Sequence, residues 1–262
     1  MGSYPSIVEL SFGDEKVTST AKIAGLPLGV TGILPDGRTF RHAKVSATTA
    51  VVVGKLYQGV AIAADTAYGK SLTIAAATVG ATALVITAGS AVAIGTDEYA
   101  DGYAICANST GTGIGYLYKI KSCSSAAAGS ASTVKLYEND SVKEAIAAGT
   151  SAGLRRNKYD GIVLTEAGTG LTGVLAGVPC ASAAVNAYIW LQSKGPAAVF
   201  TGGTVLVSGE VVLASTAGGG AVVPALAGSG SYQSVKAGLN FIGYGMTSAL
   251  VAGYAMVDLR LD

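Results

Sequence analysis

"YAICANSTGTGIGYLYKIKS", Tyr103–Ser122, joins a glycine-rich centre to flanks rich in tyrosine and isoleucine. Its glycines Gly111, Gly113 and Gly115 allow two readings, a loop that cradles phosphate or the tip of a β-hairpin. A dinucleotide loop runs G-x-G-x-x-G between a strand and a helix, so that the helix N-terminus faces the pyrophosphate. Here the spacing is G-x-G-x-G. The residues that follow alternate, with Tyr116, Tyr118 and Ile120 on one side and Leu117, Lys119 and Lys121 on the other. A period of two belongs to a strand, whose successive side chains point to opposite faces. No helix dipole is then placed to hold an anion. The stretch predicts a hairpin in which Ala104–Cys106 pairs with Gly115–Ile120. "GKS" at Gly69–Ser71 lacks the earlier glycine of a P-loop and adds no nucleotide site. The sequon Asn108-Ser109-Thr110 in the same loop matters only in a secretory pathway.

Outward from the hairpin, the chain from Ser46 onward is a series of short apolar runs broken by glycine. A theme recurs in "AVVVGKL" (Ala50–Leu56), "AVAIGTDEY" (Ala91–Tyr99) and "TVLVSGEVV" (Thr204–Val212): an apolar run, then glycine and a polar residue. Runs of this length with frequent turn punctuation indicate an all-β sandwich or barrel. "AGLNFIGYGMTSALVAGYAMV", Ala237–Val257, is long and uncharged enough to resemble a membrane span. Its bulky residues fall at alternate positions between glycines, which predicts two final strands. One helix signal stands out in "DSVKEAIAAG": Ser141 as N-cap, Glu144 completing a capping box, and Gly149 as the stop.

Residues 1–45 differ from the rest. Pro5, Pro27 and Pro35 and the lack of a helical period suggest an extended arm. Inside it, "ILPDGRTF" carries turn chemistry at Pro35-Asp36-Gly37, which places Arg38, Phe40 and His42 on one side of the outgoing strand. "AGTSAGLRRNKYDG", Ala148–Gly161, reads as a linker or long loop. The fold expected is all-β: one or two sandwich- or barrel-like domains, an extended N-terminal arm and little helix. The divisions are an arm at 1–45 and β domains at 46–160 and 161–262.

The chain's 17 basic and 16 acidic residues almost cancel, so the basic excess of a nucleic-acid binder is missing. Charged residues make up 13% and hydrophobic ones 50% of the chain, a surface composition that favours association between subunits. Cys106, Cys123 and Cys180 are odd in number and unpaired in spacing, which suits a reducing compartment. "MGSYPSIVELSFGDEK" has neither the basic start nor the apolar core of a secretion signal, and "MGSYPS" fits only the loosest lipidation pattern.

Catalytic chemistry finds little to work with. His42 is the sole histidine, and no nucleophile elbow lies near it. One His and scattered Cys do not supply the close N/S ligands of a zinc site. Asp97, Glu98 and Asp101 cluster in "TDEYADG", but Tyr99 and Asn108 occupy positions where a calcium loop needs oxygen ligands of another kind. That segment reads more simply as a turn. The expectation is no enzyme, no cofactor, no metal and no membrane or nucleic-acid partner. Residues marked instead for contact with partners are Arg38, Phe40 and His42; the basic Arg155, Arg156 and Lys158; and Tyr188 and Trp190. The last two alternate with Ile189 and Leu191 in a strand apolar on both faces, which suits a core or a subunit interface.

"DEYADGYAICANSTGTGIGYLYKIKS", "KYDGIVL", "AYIWLQSKGPAAVFTGGTVLVSGEVV", "GGGAVVPA" and "VAGYAMVDLRL" together resemble virion structural proteins of tailed bacteriophages, most closely head decoration or cement proteins. The resemblance covers about residues 35–262 and rests on glycine-and-strand patterns without chemistry. It implies a β-rich homo-oligomer, a trimer at three-fold positions. Such a subunit is made in the bacterial cytoplasm and seated on the major capsid protein at the virion surface. The rival expectation is a receptor- or glycan-binding module of a phage fibre, with exposed Tyr and Trp stacking on sugar.

Overall fold

The computed structural model describes residues 7–60, 72–89, 93–107, 112–165, 171–202, 205–215, 219–225, 241–248 and 253–262. Within them are seventeen strands, and the one helical segment is the 3-10 turn Asp14–Lys16. The all-β expectation therefore holds. The chain forms two compact units, one of residues 63–157 and one of residues 1–62 with 158–262. The first is inserted in the sequence of the second. This differs from the division expected from sequence: a change of unit does fall near residue 160, but residues 1–45 and 46–62 belong with the C-terminal half.

The larger unit begins with β1 (Ile7–Glu9), β2 (Thr31–Ile33), β3 (Thr39–Val45) and β4 (Tyr57–Gln58). The insertion holds β5 (Leu72–Ile74), β6 (Ala83–Thr87), β7 (Tyr103–Cys106), β8 (Leu117–Cys123), β9 (Ala131–Leu136) and β10 (Thr150–Arg155). The larger unit resumes with β11 (Asp160–Leu164), β12 (Leu175–Pro179), β13 (Tyr188–Phe200), β14 (Val211–Ala214), β15 (Val222–Pro224), β16 (Phe241–Gly245) and β17 (Tyr254–Arg260).

The insertion is a closed antiparallel barrel in the order β10-β5-β6-β9-β8-β7. The glycine-rich stretch is its β7–β8 hairpin, with Ala104 opposite Tyr118 and Ile105 opposite Leu117. The Gly115 amide donates to the Cys106 carbonyl at 2.9 Å. Strict alternation sends Leu84, Ile86, Ala104, Tyr118, Ile120, Val134, Ala152 and Leu154 into one buried cluster. Each large apolar side chain so buried contributes roughly 1.5–3 kcal/mol relative to exposure. The sequon Asn108–Thr110, Gly111 and Gly69–Ser71 lie outside the described residues.

Two local expectations fail here. "DSVKEAIAAG" is extended, not helical: Ile146 pairs antiparallel with Ala77, and the Val142 amide donates to Ala81. Val142 and Ile146 are both buried in the barrel cluster, so tertiary packing overrides the capping signal. "AGTSAGLRRNKYDG" is not a linker either, because it supplies β10, which closes the barrel against β7 and β5.

In the larger unit the pairings β3–β11, β11–β4, β4–β12, β12–β13 and β13–β3 close a five-stranded ring. Ala43, Val45, Tyr57, Ile162, Ala176, Ile189 and Leu191 form one buried cluster of this unit. The long β13 leaves the ring at a register shift between Gln192 and Lys194, next to Gly195 at φ +86°. Its second half pairs with β17, which leads to β16, β14 and β15. The predicted strands near the end of the chain are thus β16 and β17. Among the described residues no helix is long and apolar enough to cross a membrane.

The described part of the predicted N-terminal arm, residues 7–45, instead contributes to the cores of this unit. "ILPDGRTF" does form the expected turn, with Gly37 at φ +85° and the Leu34 amide donating to Arg38. The strand leaving that turn, however, is β3, paired on both sides. Leu10, Leu26, Val30 and Leu34 pack against Phe40 and Trp190 in a second cluster. Between β1 and β2 the segment carries Pro27 and the turn residues Gly25 and Gly29 at positive φ and forms no strand.

One device recurs in both units. An apolar residue is followed three positions later by a residue at positive φ: Val51/Gly54, Ala77/Gly80, Ile94/Asp97, Ala126/Gly129, Ile146/Gly149, Ala183/Asn186 and Leu206/Gly209. In every case the next amide donates back three residues to close a turn, as Ser130 does to Ala127 and Ala187 to Ala184. A positive φ at the third turn position is the type II signature, which favours Gly and admits Asn. Six of the seven apolar residues pair with one another: Val51 with Ala183, Ala77 with Ile146, Ile94 with Ala126. The theme seen in three stretches of sequence is this turn, and each copy leads into the next strand.

Candidate functional site

The residues marked from sequence do not form one surface. Phe40, His42 and Trp190 are 0%, 1% and 6% exposed, so they are core residues and not interface residues. The pairing of β3 with β13 sets His42 opposite Trp190 and Lys44 opposite Tyr188. The imidazole stacks on Tyr188 at 5.7 Å and tilts against Trp190 at 5.3 Å. Trp190 is thereby withdrawn from any sugar-stacking role. Arg38 sits half-buried at the turn, paired to Asp36 at 2.7 Å and lying over the Phe40 ring.

The basic trio is divided between the units. Arg155 and Arg156 belong to the insertion and are exposed, while Lys158 belongs to the larger unit. Lys158 lies 4.8 Å from the Tyr159 ring centroid. Burial lowers the Lys158 pKa, opposed by the charge of Asp262.

The carboxylates of "TDEYADG" are all engaged in the barrel. Asp97 accepts the Cys123 amide, Glu98 accepts the Gly95 amide, and Asp101 accepts the Tyr137 hydroxyl. The Asp101 carbonyl also takes the Asn157 side-chain amide and the Lys119 ammonium. This is turn architecture, as expected from sequence. Cys106, Cys123 and Cys180 are unpaired, and burial raises all three thiols, Cys180 to about 11. They are held protonated at neutral pH, in the weakly nucleophilic form. Among the described residues no group of His, Cys, Asp and Glu is arranged to hold a metal ion.

Two features escaped the sequence reading. The first is a polar cluster around Asp262, which accepts Arg41 at 2.8 Å and the Ser193 hydroxyl. Arg41 also donates to Gly29 and Thr31. Burial pushes the Asp262 carboxyl up, but the hydrogen bonds from Arg41 and Ser193 and the charges of Arg41 and Lys158 outweigh it and hold its pKa below the ordinary value. Tyr159 is raised by burial and by the Asp262 charge. No local sequence signal joins Arg41 to Asp262; only the fold does.

The second is a surface on the larger unit. Along β13 and β17, Ala198 lies opposite Met256 and Phe200 opposite Tyr254. Alternation buries Ala255, Val257 and Leu259 and turns Tyr254, Met256, Asp258 and Arg260 outward. Tyr244 of β16 lies opposite Asp258, so it shares this outer side, with Phe241 edge-on to it at 5.4 Å. At one end the face opens into a cleft of about 490 Å³ lined by Asp36, Arg38, Lys194, Asp258, Arg260 and Asp262. The surface is apolar along the strands and carries both charge signs at the end.

Comparison with known proteins gives no match: no family model, no curated protein and no solved structure is similar to this chain.

Proposed function

We propose that this protein is a structural subunit of a tailed-bacteriophage virion, a decoration protein. In this reading it binds the outer surface of the head and stabilises it by bridging subunits of the major capsid protein. The proposal rests on the strand-and-glycine resemblance over residues 35–262 together with one structural observation. Among the described residues, Asp97, Glu98, Asp101 and His42 are committed to turns and core, whereas an apolar face on β13, β17 and β16 is exposed. An apolar patch rimmed by polar residues marks a protein–protein contact. On this reading the protein works as a homo-oligomer without cofactor or catalysis, is made in the host cytoplasm and ends at the capsid surface.

The test mixes purified protein with empty heads and sediments the mixture. Saturable pelleting with the heads, and heads that withstand more heating or dilution, are the expected outcome. Protein that stays in the supernatant at every ratio overturns the proposal. Binding to a glycan array in place of heads would favour the fibre module.

A further inference from the structure

We propose that the outer face of β13, β17 and β16 is a two-fold contact on which a second copy of this chain docks, face to the same face. The apolar part consists of Tyr254, Met256, Met246, Tyr244, Phe241 and Phe200, five of them 39–52% exposed and Phe200 half-buried. These residues adjoin. Phe200 meets Tyr254 edge-on at 5.6 Å, and the Met246 amide donates to the Met256 carbonyl between the two methionines. Val53 extends the face, since its carbonyl accepts the Tyr254 hydroxyl. Ala198 and Pro196, both exposed, complete the face between Phe200 and Asp258, so that it spans three strands, and a standard interface buries ~800 Å² per partner.

The charges identify the occupant. The cleft at the end of the face carries three acids, Asp36, Asp258 and Asp262, and three bases, Arg38, Lys194 and Arg260. Arg260 is paired to Asp258 and lies over the Tyr244 ring, and Arg38 is paired to Asp36. A rim with equal numbers of both signs does not select a uniformly acidic or basic partner. A two-fold axis can set the acids of one copy against the bases of the other, as a self-complementary rim requires. The chain's net charge of +1 also leaves two copies with almost no long-range repulsion. An isologous contact of this kind gives a dimer, which distinguishes it from the trimer implied by the resemblance. It does not depend on head binding.

The test is the native mass of the full chain by sedimentation velocity over a range of concentrations. The expected result is a species of about twice the single-chain 25.8 kDa. Met256→Arg and Tyr254→Glu should each weaken self-association about 100-fold, as loss of a central anchor does. Far-UV circular dichroism should be unchanged, because both side chains point outward. Val79→Arg, at a residue 63% exposed in the insertion, should leave the mass unaltered. Asp258→Arg and Arg260→Asp should each weaken the dimer about 10-fold, and the double reversal should restore it. A wild-type mass of 25.8 kDa at every concentration overturns the inference, as does a trimer indifferent to Met256→Arg. A monomer that needs Met256 to pellet with heads would assign the face to the shell instead, leaving the decoration reading intact. A dimer that ignores heads would do the reverse.

Discussion

The inserted barrel closes between Leu72 and Arg155 with every strand pairing inside that span, while in the larger unit Phe40 lies opposite Gln192, across the whole insertion. Both units use antiparallel strands and the same seven-copy turn. They differ in how far the chain travels before a strand meets its partner. Three of the barrel's six pairings, β5–β6, β7–β8 and β8–β9, join strands adjacent in sequence, and the other three stay within the insertion. The ring of the larger unit is complete only when β11, β12 and β13 have followed the insertion. Local pairings close short loops at low entropic cost, so the barrel is expected to form first and the ring to wait for its distant strands.

The strongest way to break this contrast is to empty each core separately. Phe40→Ala removes a fully buried ring beneath Leu10, Leu26 and Trp190, and should cost about 3–5 kcal/mol. Hydrogen exchange should show protection lost in β1–β4 and β11–β17 and kept in β5–β10. Leu84→Ala in the barrel should cost about 2–5 kcal/mol, with the pattern reversed. Equal loss across both units in either variant would show that they unfold together.

A sharper probe concerns backbone approach in the barrel. A Cβ on Gly102 would stand 2.2 Å from the Arg155 carbonyl oxygen and 2.8 Å from that of Tyr99. Neither is a side chain that can swing away. Gly102→Ala should therefore cost about 1–3 kcal/mol by overpacking and move the barrel's unfolding midpoint, read in urea. An unchanged midpoint would mean that β7 and β10 can separate without loss.

The same contrast explains what was legible in the sequence. Where partners are near, period and turn chemistry sufficed: Leu117–Lys121 alternates within β8, and Pro35-Asp36-Gly37 turns as expected. Where partners are distant, they did not. "TFRHAKV" places Arg41 and Lys44 among Phe40, Ala43 and Val45, and only pairing with β13 and β11 makes it a central strand. Leu10, Leu26, Val30 and Leu34 reach one core although Pro27 and Gly29, at φ +83°, interrupt any regular element between them. Val142 and Ile146, four apart behind a capping box, imitate a helix face, yet the barrel takes both in extended form. The apolar face on β13, β17 and β16 was hidden for the same reason, since Tyr254, Met256 and Phe200 become neighbours only by pairing.

The polar cluster of the larger unit gives a smaller effect with a defined pH dependence. The folded-state pKa of Asp262 is depressed, so its contribution is full above the unfolded value of about 3.9 and is lost as pH falls through the folded value. Asp262→Asn should cost about 1–2 kcal/mol at pH 7, allowing for partial exposure. That difference from wild type should shrink below about pH 4. The insertion's ion pair of Lys121 with Glu138, at 2.7 Å, is exposed and untouched by Leu84→Ala, so that variant should show no such convergence. A deficit in Asp262→Asn that stays constant to pH 2 would place its cause in packing.

The finest comparison is within the shared turn, because its third position is occupied by three residue types. At Gly129, φ is +74° and nothing lies within 4 Å of an added Cβ, so alanine meets strain alone. Gly129→Ala should cost about 1 kcal/mol, the penalty of a left-handed conformation for a residue with a Cβ. Asn186 has the same geometry at φ +61° in the turn before β13 and is exposed. Asn186→Gly should relieve that strain and stabilise the larger unit by about 0.5 kcal/mol, less than the alanine penalty because Asn tolerates this region and glycine loses more entropy on folding. Asp97 also adopts it, at φ +55°, but its carboxylate accepts the Cys123 amide. Asp97→Gly should therefore destabilise the barrel despite the easier backbone. Thermal midpoints of the three variants read these signs directly. Opposite signs for Asn186→Gly and Asp97→Gly would show that one turn serves both units for its backbone and only the barrel for its side chain.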